Sequence, residues 1–201
     1  MWLKDLRKQF PERPILGFAD NFHHYDIRTG APSEGEGRLQ FISRYAKDLT
    51  IKYHCTLVMT MELPKDSMRP GVRPRMSTMK GSSSMSYDAS ANIGVYNDLK
   101  DFGARSNLVW EDPNDVEEFE NAAGLKGTRP KRKPIIELVF DKSKIYKGYD
   151  GVIYFKLDPA TGRFEECSLE EQRRYWRIAY QDAPGFLAIT SPYHRKPTAV
   201  H

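Results

Sequence analysis

The sequence has little of several features that would narrow its class at once. It contains 2 cysteines among 201 residues, too few for a disulfide framework. Its uninterrupted apolar runs are only a few residues long, far short of a membrane span. The amino-terminal stretch also has no apolar core of the kind that a signal peptide carries. We therefore expect a soluble, cytoplasmic, globular protein.

Two chemical motifs are absent as well. No group of cysteines and histidines has the spacing of a structural zinc site. No glycine-rich loop ends in Gly-Lys-Ser/Thr, the motif whose backbone amides cradle nucleotide phosphates. Any phosphate-binding role of these residues must therefore rest on other groups.

The charges are unevenly distributed along the chain, although the formal net charge is only +4. Residues 65–80 carry five basic side chains and one acidic, and residues 124–147 carry eight basic and two acidic. Between them, residues 111–120 are strongly acidic. Basic loops suit a polyanion such as nucleic acid, but charge alone does not separate that reading from two solvated surface loops.

The first third of the chain has the pattern of a strand–helix–strand unit. After a short helix over residues 2–10, residues 14–19 form a short apolar run typical of a buried strand. A helix follows from about Arg38 to Tyr53, and residues 55–61 form a second apolar run. The crossover helix makes the two strands parallel, so Asp20 and Met61 lie at their carboxyl ends, where α/β sheets bind ligands.

The remainder reads as a loop, a third strand and an antiparallel hairpin. The loop spans residues 62–79, and the third strand covers residues 92–96. The polar residues 98–130 are predicted to be a surface insertion with a helix near 114–123. Turn residues separate two strands that make the hairpin, and a final helix begins at Ser168 with Glu171 completing a capping box; these three elements cover residues 135–141, 151–157 and 168–180.

Four stretches, in this order, resemble the ATPase domain of DnaB-like hexameric replicative helicases. "PILGFADN" resembles the strand that ends in a magnesium-binding Asp, and "RLQFISRYAKDLTIKYHCTLVMTMEL" resembles the next helix and the strand that senses phosphate. "RPRMSTMKGSSSMSYDASANIGVYND" resembles the DNA-facing loop and the strand after it. "IIELVFDKSK", followed by "GYDGVIYFKLDPATGRFEE", resembles the terminal hairpin.

The resemblance implies a RecA-like P-loop NTPase core, specifically its carboxyl-terminal part. The expected fold class is α/β, with a mostly parallel sheet, helices and a carboxyl-terminal antiparallel hairpin. Residues 1–167 are expected to form the partial ATPase domain, with the insertion at about 98–130, and residues 168–201 a terminal helix and tail. Because the phosphate-binding loop precedes the Asp strand in this fold, we expect either a piece of a longer helicase or a shortened relative.

The resemblance also assigns a nucleotide site for ATP and Mg²⁺. Asp20 is the expected metal ligand and catalytic carboxylate, with a turn-capping Asp as the alternative. The family's phosphate-sensing Gln is replaced by Met61, which leaves Thr60 or Glu62 as a substitute and a locally bonded strand residue as the alternative for Thr60. Lys142 and Lys144 match the Lys-x-Arg pair that reaches a neighbouring subunit's nucleotide, and Lys144 lacks the fork of the expected Arg.

A second expected site binds single-stranded DNA. In this family the basic loop contacts the phosphate backbone rather than base edges. The residues assigned to it are Arg69, Arg73, Arg75, Lys80, Gly81 and Ser82. A disordered basic loop is the alternative.

Taken together, these features predict the carboxyl-terminal part of an ATP-dependent replicative helicase, a homo-oligomeric, hexameric ring that hydrolyses ATP between subunits. The chain alone is expected to be inactive because its phosphate-binding loop is absent. Two other hypotheses remain open: a non-catalytic module for DNA binding or oligomerisation, and another RecA-fold ATPase of the recombinase type.

Overall fold

The computed structural model describes residues 2–22, 32, 35–63, 71–76, 85, 87–144 and 151–181. The chain divides into two compact units. The first unit comprises residues 1–68 and 75–92, and the second comprises residues 69–74 and 93–201. Among the described residues, no helix is long and apolar enough to cross a membrane.

The first unit contains the predicted strand–helix–strand arrangement. Helix α1 (Trp2–Gln9) is followed by β1 (Ile15–Ala19), α2 (Gly35–Tyr53) and β2 (Cys55–Met59). The strands pair in parallel from Ile15 opposite Cys55 to Ala19 opposite Met59, which confirms the predicted parallel pair. Gly17 allows this close pairing, because a Cβ there would lie 2.8 Å from Leu57 Cδ2.

Two small apolar clusters hold the first unit together. Leu39 and Ile42 of α2 pack with Phe22 and Met85, and Leu3 of α1 packs with Tyr53 and Cys55. The Arg7 guanidinium joins these elements by donating to the carbonyl oxygens of Tyr53 at 2.9 Å and His54 at 2.8 Å. These carbonyls lie at the end of α2, which is why a basic side chain stabilises this turn.

The second unit is built on a five-stranded sheet. Its elements are β3 (Ala91–Asn97), α3 (Asp98–Phe102), a 3₁₀ turn (Gly103–Arg105), β4 (Val109–Glu120), β5 (Lys126–Ser143), β6 (Gly151–Asp158), β7 (Arg163–Glu166) and α4 (Leu169–Trp176). The strand order is β3-β5-β6-β7, and β4 pairs with β5. A π-helical turn (Arg177–Gln181) continues α4.

The predicted hairpin and final helix are confirmed. Strands β5 and β6 pair antiparallel from Ile135 opposite Lys156 to Phe140 opposite Gly151. The Ser168 hydroxyl accepts from Glu171 N, and Ser168 N donates to the Glu171 carboxylate, which is the predicted capping box. Ile135, Val139 and Tyr154, all fully buried, are the centre of the core.

Two expectations about the sheets are wrong. A mostly parallel sheet was expected, but only β1 and β2 form a parallel sheet among the described residues, and the β4–β5, β5–β6 and β6–β7 pairs are antiparallel. The helix expected near residues 114–123 is mostly strand β4. Its acidic side chains lie opposite the basic ones of β5, and this cross-strand pairing overrides the local helix preference.

Candidate functional site

The first candidate site is the carboxyl edge of the β1–β2 pair. Thr60 N donates to Ala19 O at 3.0 Å, and Phe22 N donates to Thr60 O at 2.8 Å. These bonds continue the pairing by one residue beyond each strand. Asp20 and Thr60 therefore emerge side by side at the edge, as expected for parallel strands that end together.

The polar side chains at this edge contact each other and face solvent. Thr60 Oγ1 donates to Asp20 Oδ1, and Asn21 Nδ2 donates to Glu62 Oε1 at 2.7 Å. Asp20, Thr60 and Glu62 are all exposed. Carboxylate and hydroxyl oxygens are the ligands that Mg²⁺ prefers, and Mg²⁺ usually takes one or two of them beside phosphate oxygens and water. The donor set thus fits a shared magnesium site, whereas a cluster of three or more acidic, His or Cys ligands is absent from the described residues.

Met61 faces the opposite way from this edge. Its side chain is half-buried and packs with Met59 against the cluster that includes Ile42 and Phe22. A polar phosphate-sensing role at this position is therefore excluded by packing as well as by chemistry. Thr60 and Glu62 remain the polar neighbours, and the hydroxyl of Thr60 bonds locally to Asp20.

Arg73, expected in an exposed DNA-binding loop, lies buried in the second unit. Its side chain is 7% exposed and its partner Glu137 is fully buried. Arg73 Nε donates to Glu137 Oε2 at 2.7 Å and Nη2 donates to Oε1 at 2.8 Å, a two-pronged charged contact. The prediction that Arg73 itself contacts the DNA backbone does not fit this geometry, because phosphate groups have no access to a guanidinium so enclosed.

Two tyrosines complete the surroundings of Arg73. The guanidinium carbon lies 4.8 Å from the Tyr96 ring centroid and 5.0 Å from that of Tyr180, within the range of cation–π attraction. The Tyr180 hydroxyl also donates to Glu137 Oε2 at 3.3 Å. Asp98 accepts from the Tyr96 hydroxyl at 3.4 Å and from Ser106 Oγ at 2.6 Å, so the polar groups of this cluster are bonded to one another.

The pKa values in this cluster are shifted by burial and by the ion pair. Burial raises the pKa of the Glu137 carboxyl, while the Arg73 guanidinium opposes that shift. Burial by itself lowers the pKa of Arg73, but the hydrogen bonds and charge of Glu137 outweigh it and raise the pKa. The pair is ionised, because a guanidinium keeps its proton in proteins and both carboxylate oxygens act as acceptors.

The other predicted site residues are placed as follows. Lys142 lies in β5, half-buried, and Lys144 is exposed in the turn that follows. Both belong to the second unit, and Asp20 and Thr60 belong to the first. Arg75 is half-buried. Outside the described residues lie Arg69, Lys80, Gly81 and Ser82.

Sequence reasoning missed two charged clusters of the second unit. One is the Arg73–Glu137 pair. The other surrounds Lys133, which contacts Asp115 at 2.8 Å, Asp158 at 3.4 Å and Asp112 at 3.5 Å. The hydrogen bond that Lys133 donates to Asp115 is the main cause of the raised pKa of Lys133. A lone acid inside the apolar run "IIELVF" was the available signal for Glu137, since a buried carboxylate requires a buried cation.

Comparison with known proteins gives a match in structure and none in sequence. No protein-family model and no curated protein matches the chain. A solved ATPase domain of a DnaB-like helicase superposes with a TM-score of 0.62 at 16% identity, covering 82% of this chain and 49% of that chain. A DnaB-like replicative helicase, studied with its interactions with primase, superposes with a TM-score of 0.62 at 15% identity, covering 83% of this chain and 34% of that one.

The chain therefore spans about half of the first matched structure and about a third of the second. At this level of identity the likeness shows a shared fold and nothing finer. With that limit, the predicted resemblance is confirmed: the chain is structurally similar to the ATPase domains of DnaB-like helicases.

Proposed function

We propose that this chain forms part of an ATP-driven helicase motor that moves along single-stranded DNA. The observation that carries the proposal is the Asp20–Thr60 pair at the carboxyl edge of two parallel strands. In a fold shared with helicase ATPase domains, that edge is where a magnesium-bound nucleotide is expected. The proposed assembly is a homo-oligomeric, hexameric ring.

The proposed chemistry is hydrolysis of ATP between subunits. Asp20 holds Mg²⁺ through a carboxylate oxygen, and Thr60 keeps that carboxylate oriented. Lys142 and Lys144 supply positive charge to the nucleotide of a neighbouring subunit, where charge develops during phosphoryl transfer. The phosphate-binding loop comes from outside these 201 residues, since no Gly-Lys-Ser/Thr loop occurs among them.

The nucleotide half of the proposal is tested in a chain joined to a phosphate-binding loop. Lys144→Ala is expected to abolish ATP turnover while leaving Mg·ATP affinity nearly unchanged, because a charge that acts from the neighbouring subunit contributes in the transition state. Asp20→Asn is expected to weaken Mg·ATP binding itself. Lys4→Ala, an exposed Lys on α1, is the control for loss of one positive charge. Loss of binding without loss of turnover in Lys144→Ala would contradict the assignment.

A second candidate is a non-catalytic DNA-binding or oligomerising module. It is favoured by one feature, the absence of a phosphate-binding loop from the sequence. Titration of the 201-residue chain with Mg·ATP separates the two functions only together with DNA binding. Both expect salt-dependent binding of a fluorescent oligo-dT strand. Turnover that appears when the loop is supplied supports the motor, and its absence supports the module.

A further inference from the structure

The segment that contains Arg73 is attached to the second unit at three points. Gly71 N donates to Asp101 Oδ2 at 3.4 Å. Arg73 forms its two-pronged contact with Glu137. Pro74 lies so close to β3 that a Cβ on Gly94 would be 2.7 Å from Pro74 O. A basic side chain thus anchors residues 71–74, instead of extending from them.

The anchor reaches three separate parts of the second unit. Glu137 belongs to β5, Tyr96 to β3, and Tyr180 to the π-helical turn after α4. Strand β5 also carries Lys142, five residues after Glu137. Since a planar guanidinium between two rings and a carboxylate has one favourable orientation, the pair fixes residues 71–74 with respect to this strand.

We propose that Arg73 is a positioning residue for nucleic-acid binding. Its buried contact with Glu137 fixes residues 71–74 on the sheet, so that Arg75, two residues further along the chain, meets the phosphates of single-stranded DNA from a defined backbone. This inference rests on the proposed function, in which the segment contacts DNA. It assigns Arg73 and Glu137 a role that neither performs by touching the strand.

Three variants separate positioning from direct contact. Arg73→Met leaves the Glu137 carboxylate buried without its cation and is expected to release the segment, because an unpaired buried charge is strongly unfavourable. Glu137→Met does the same to the guanidinium. Arg73→Met combined with Glu137→Met replaces the pair by two apolar side chains of similar volume, a replacement that buried ion pairs often tolerate.

The first measurement is the affinity for fluorescein-labelled oligo-dT as a function of salt. We expect each single variant to weaken binding about tenfold and the double variant to recover to within about threefold of the unmodified chain. The slope of log affinity against log salt is expected to stay unchanged in the double variant. A direct contact predicts the opposite: the double variant stays as weak as Arg73→Met, and the slope falls by about 0.7.

The second measurement is amide hydrogen exchange of residues 71–76, which needs no DNA. Exchange is expected to accelerate more than about tenfold in Arg73→Met and to slow again in the double variant. Gly94→Ala is an independent variant that changes no charge: its Cβ pushes against Pro74 O, so faster exchange and weaker DNA binding are expected there too.

The matched control is the surface pair of Arg129 and Glu117, whose Nη2–Oε1 distance is also 2.7 Å but whose side chains are 53% and 36% exposed. The same three Met variants of that pair are expected to leave exchange at residues 71–76 unchanged. The positioning role is overturned if the double variant binds as weakly as Arg73→Met, or if exchange is unaltered in Arg73→Met and Gly94→Ala. An unmodified chain that does not bind oligo-dT would instead overturn the DNA role in the proposed function.

Discussion

The two units of this chain differ in how well each covers its own sheet. In the second unit, nine buried residues form one cluster between the antiparallel sheet and α4. The first unit has two smaller clusters, with four and three buried residues. Because apolar burial supplies most of the favourable free energy of folding, the second unit is expected to be the more stable of the two.

The uncovered surface of the first unit is one face of its parallel sheet. Phe18 is 76% exposed, Leu16 is 56% exposed and Val58 is 45% exposed. Phe18 lies opposite Val58 in the register, and Leu16 shares their face because side chains alternate along a strand. Parallel sheets in known proteins are almost always covered on both faces. The comparison therefore separates a unit with a closed core from one that leaves an apolar sheet face bare.

The largest expected effect comes from opening the core of the second unit. Ile135→Ala removes a side chain with no exposed surface and is expected to lower the free energy of unfolding by about 2–5 kcal/mol, the sum of lost burial and a new cavity. Ile51→Ala, the same substitution at a 61% exposed position on α2, is expected to change it by less than about 0.5 kcal/mol.

Urea unfolding followed by tryptophan fluorescence measures both variants, since Trp110 and Trp176 pack against the second unit's core. Equal losses in the two variants would show that burial does not distinguish these positions. The contrast between the units would then lose its physical basis.

The next effect compares the units without any substitution, because each contains one buried cysteine. Burial raises the pKa of Cys55, and it raises the pKa of Cys167 to about 12, so neither thiol is an effective nucleophile while its unit stays closed. Alkylation near pH 8 then reports local opening. We expect Cys55 to react about tenfold faster than Cys167, since less apolar burial opposes opening of the first unit.

Mass spectrometry of the alkylated peptides gives the two rates in one sample. Alkylation in high urea is the control, because there the two thiols are expected to react alike. Faster reaction of Cys167 under native conditions would reverse the order of stability proposed here.

Elements whose evidence is local were predicted from the sequence. The spacing of Leu39 and Ile42 predicted α2, and the run "CTLVM" predicted β2. The spacing of Ser168 and Glu171 predicted the start of α4. In each case a repeat of apolar residues or a three-residue spacing sufficed, because the stabilising contacts lie within a turn or one strand of the residue concerned.

Features that depend on distant partners were not predicted. The acidic residues of β4 favoured a helix until the basic residues of β5 were placed opposite them. Arg73 was assigned to solvent because its partner lies 64 positions away, and nothing between them indicates the pairing. At the candidate nucleotide site, the sequence placed Asp20 at a strand end, but the bond from Thr60 depends on strand register.

The smallest change in stability is expected at the bare face of the first unit, where a different property should respond. Phe18→Ser removes the most exposed aromatic side chain of that face. The free energy of unfolding is expected to change by no more than about 0.5 kcal/mol. Self-association is expected to fall, because contiguous exposed apolar surface promotes contact between molecules. Light scattering over a range of protein concentrations measures the association.

Phe164→Ser tests whether the effect belongs to the face or to any exposed phenylalanine. Phe164 is 57% exposed, but its ring packs edge-on against Phe155 at 6.5 Å, so it has an intramolecular partner where Phe18 has Leu16 and Val58, which are themselves exposed. Only Phe18→Ser is then expected to reduce association. If both variants reduced it equally, the association would follow total exposed apolar area, and the first unit's sheet face would have no special part in it.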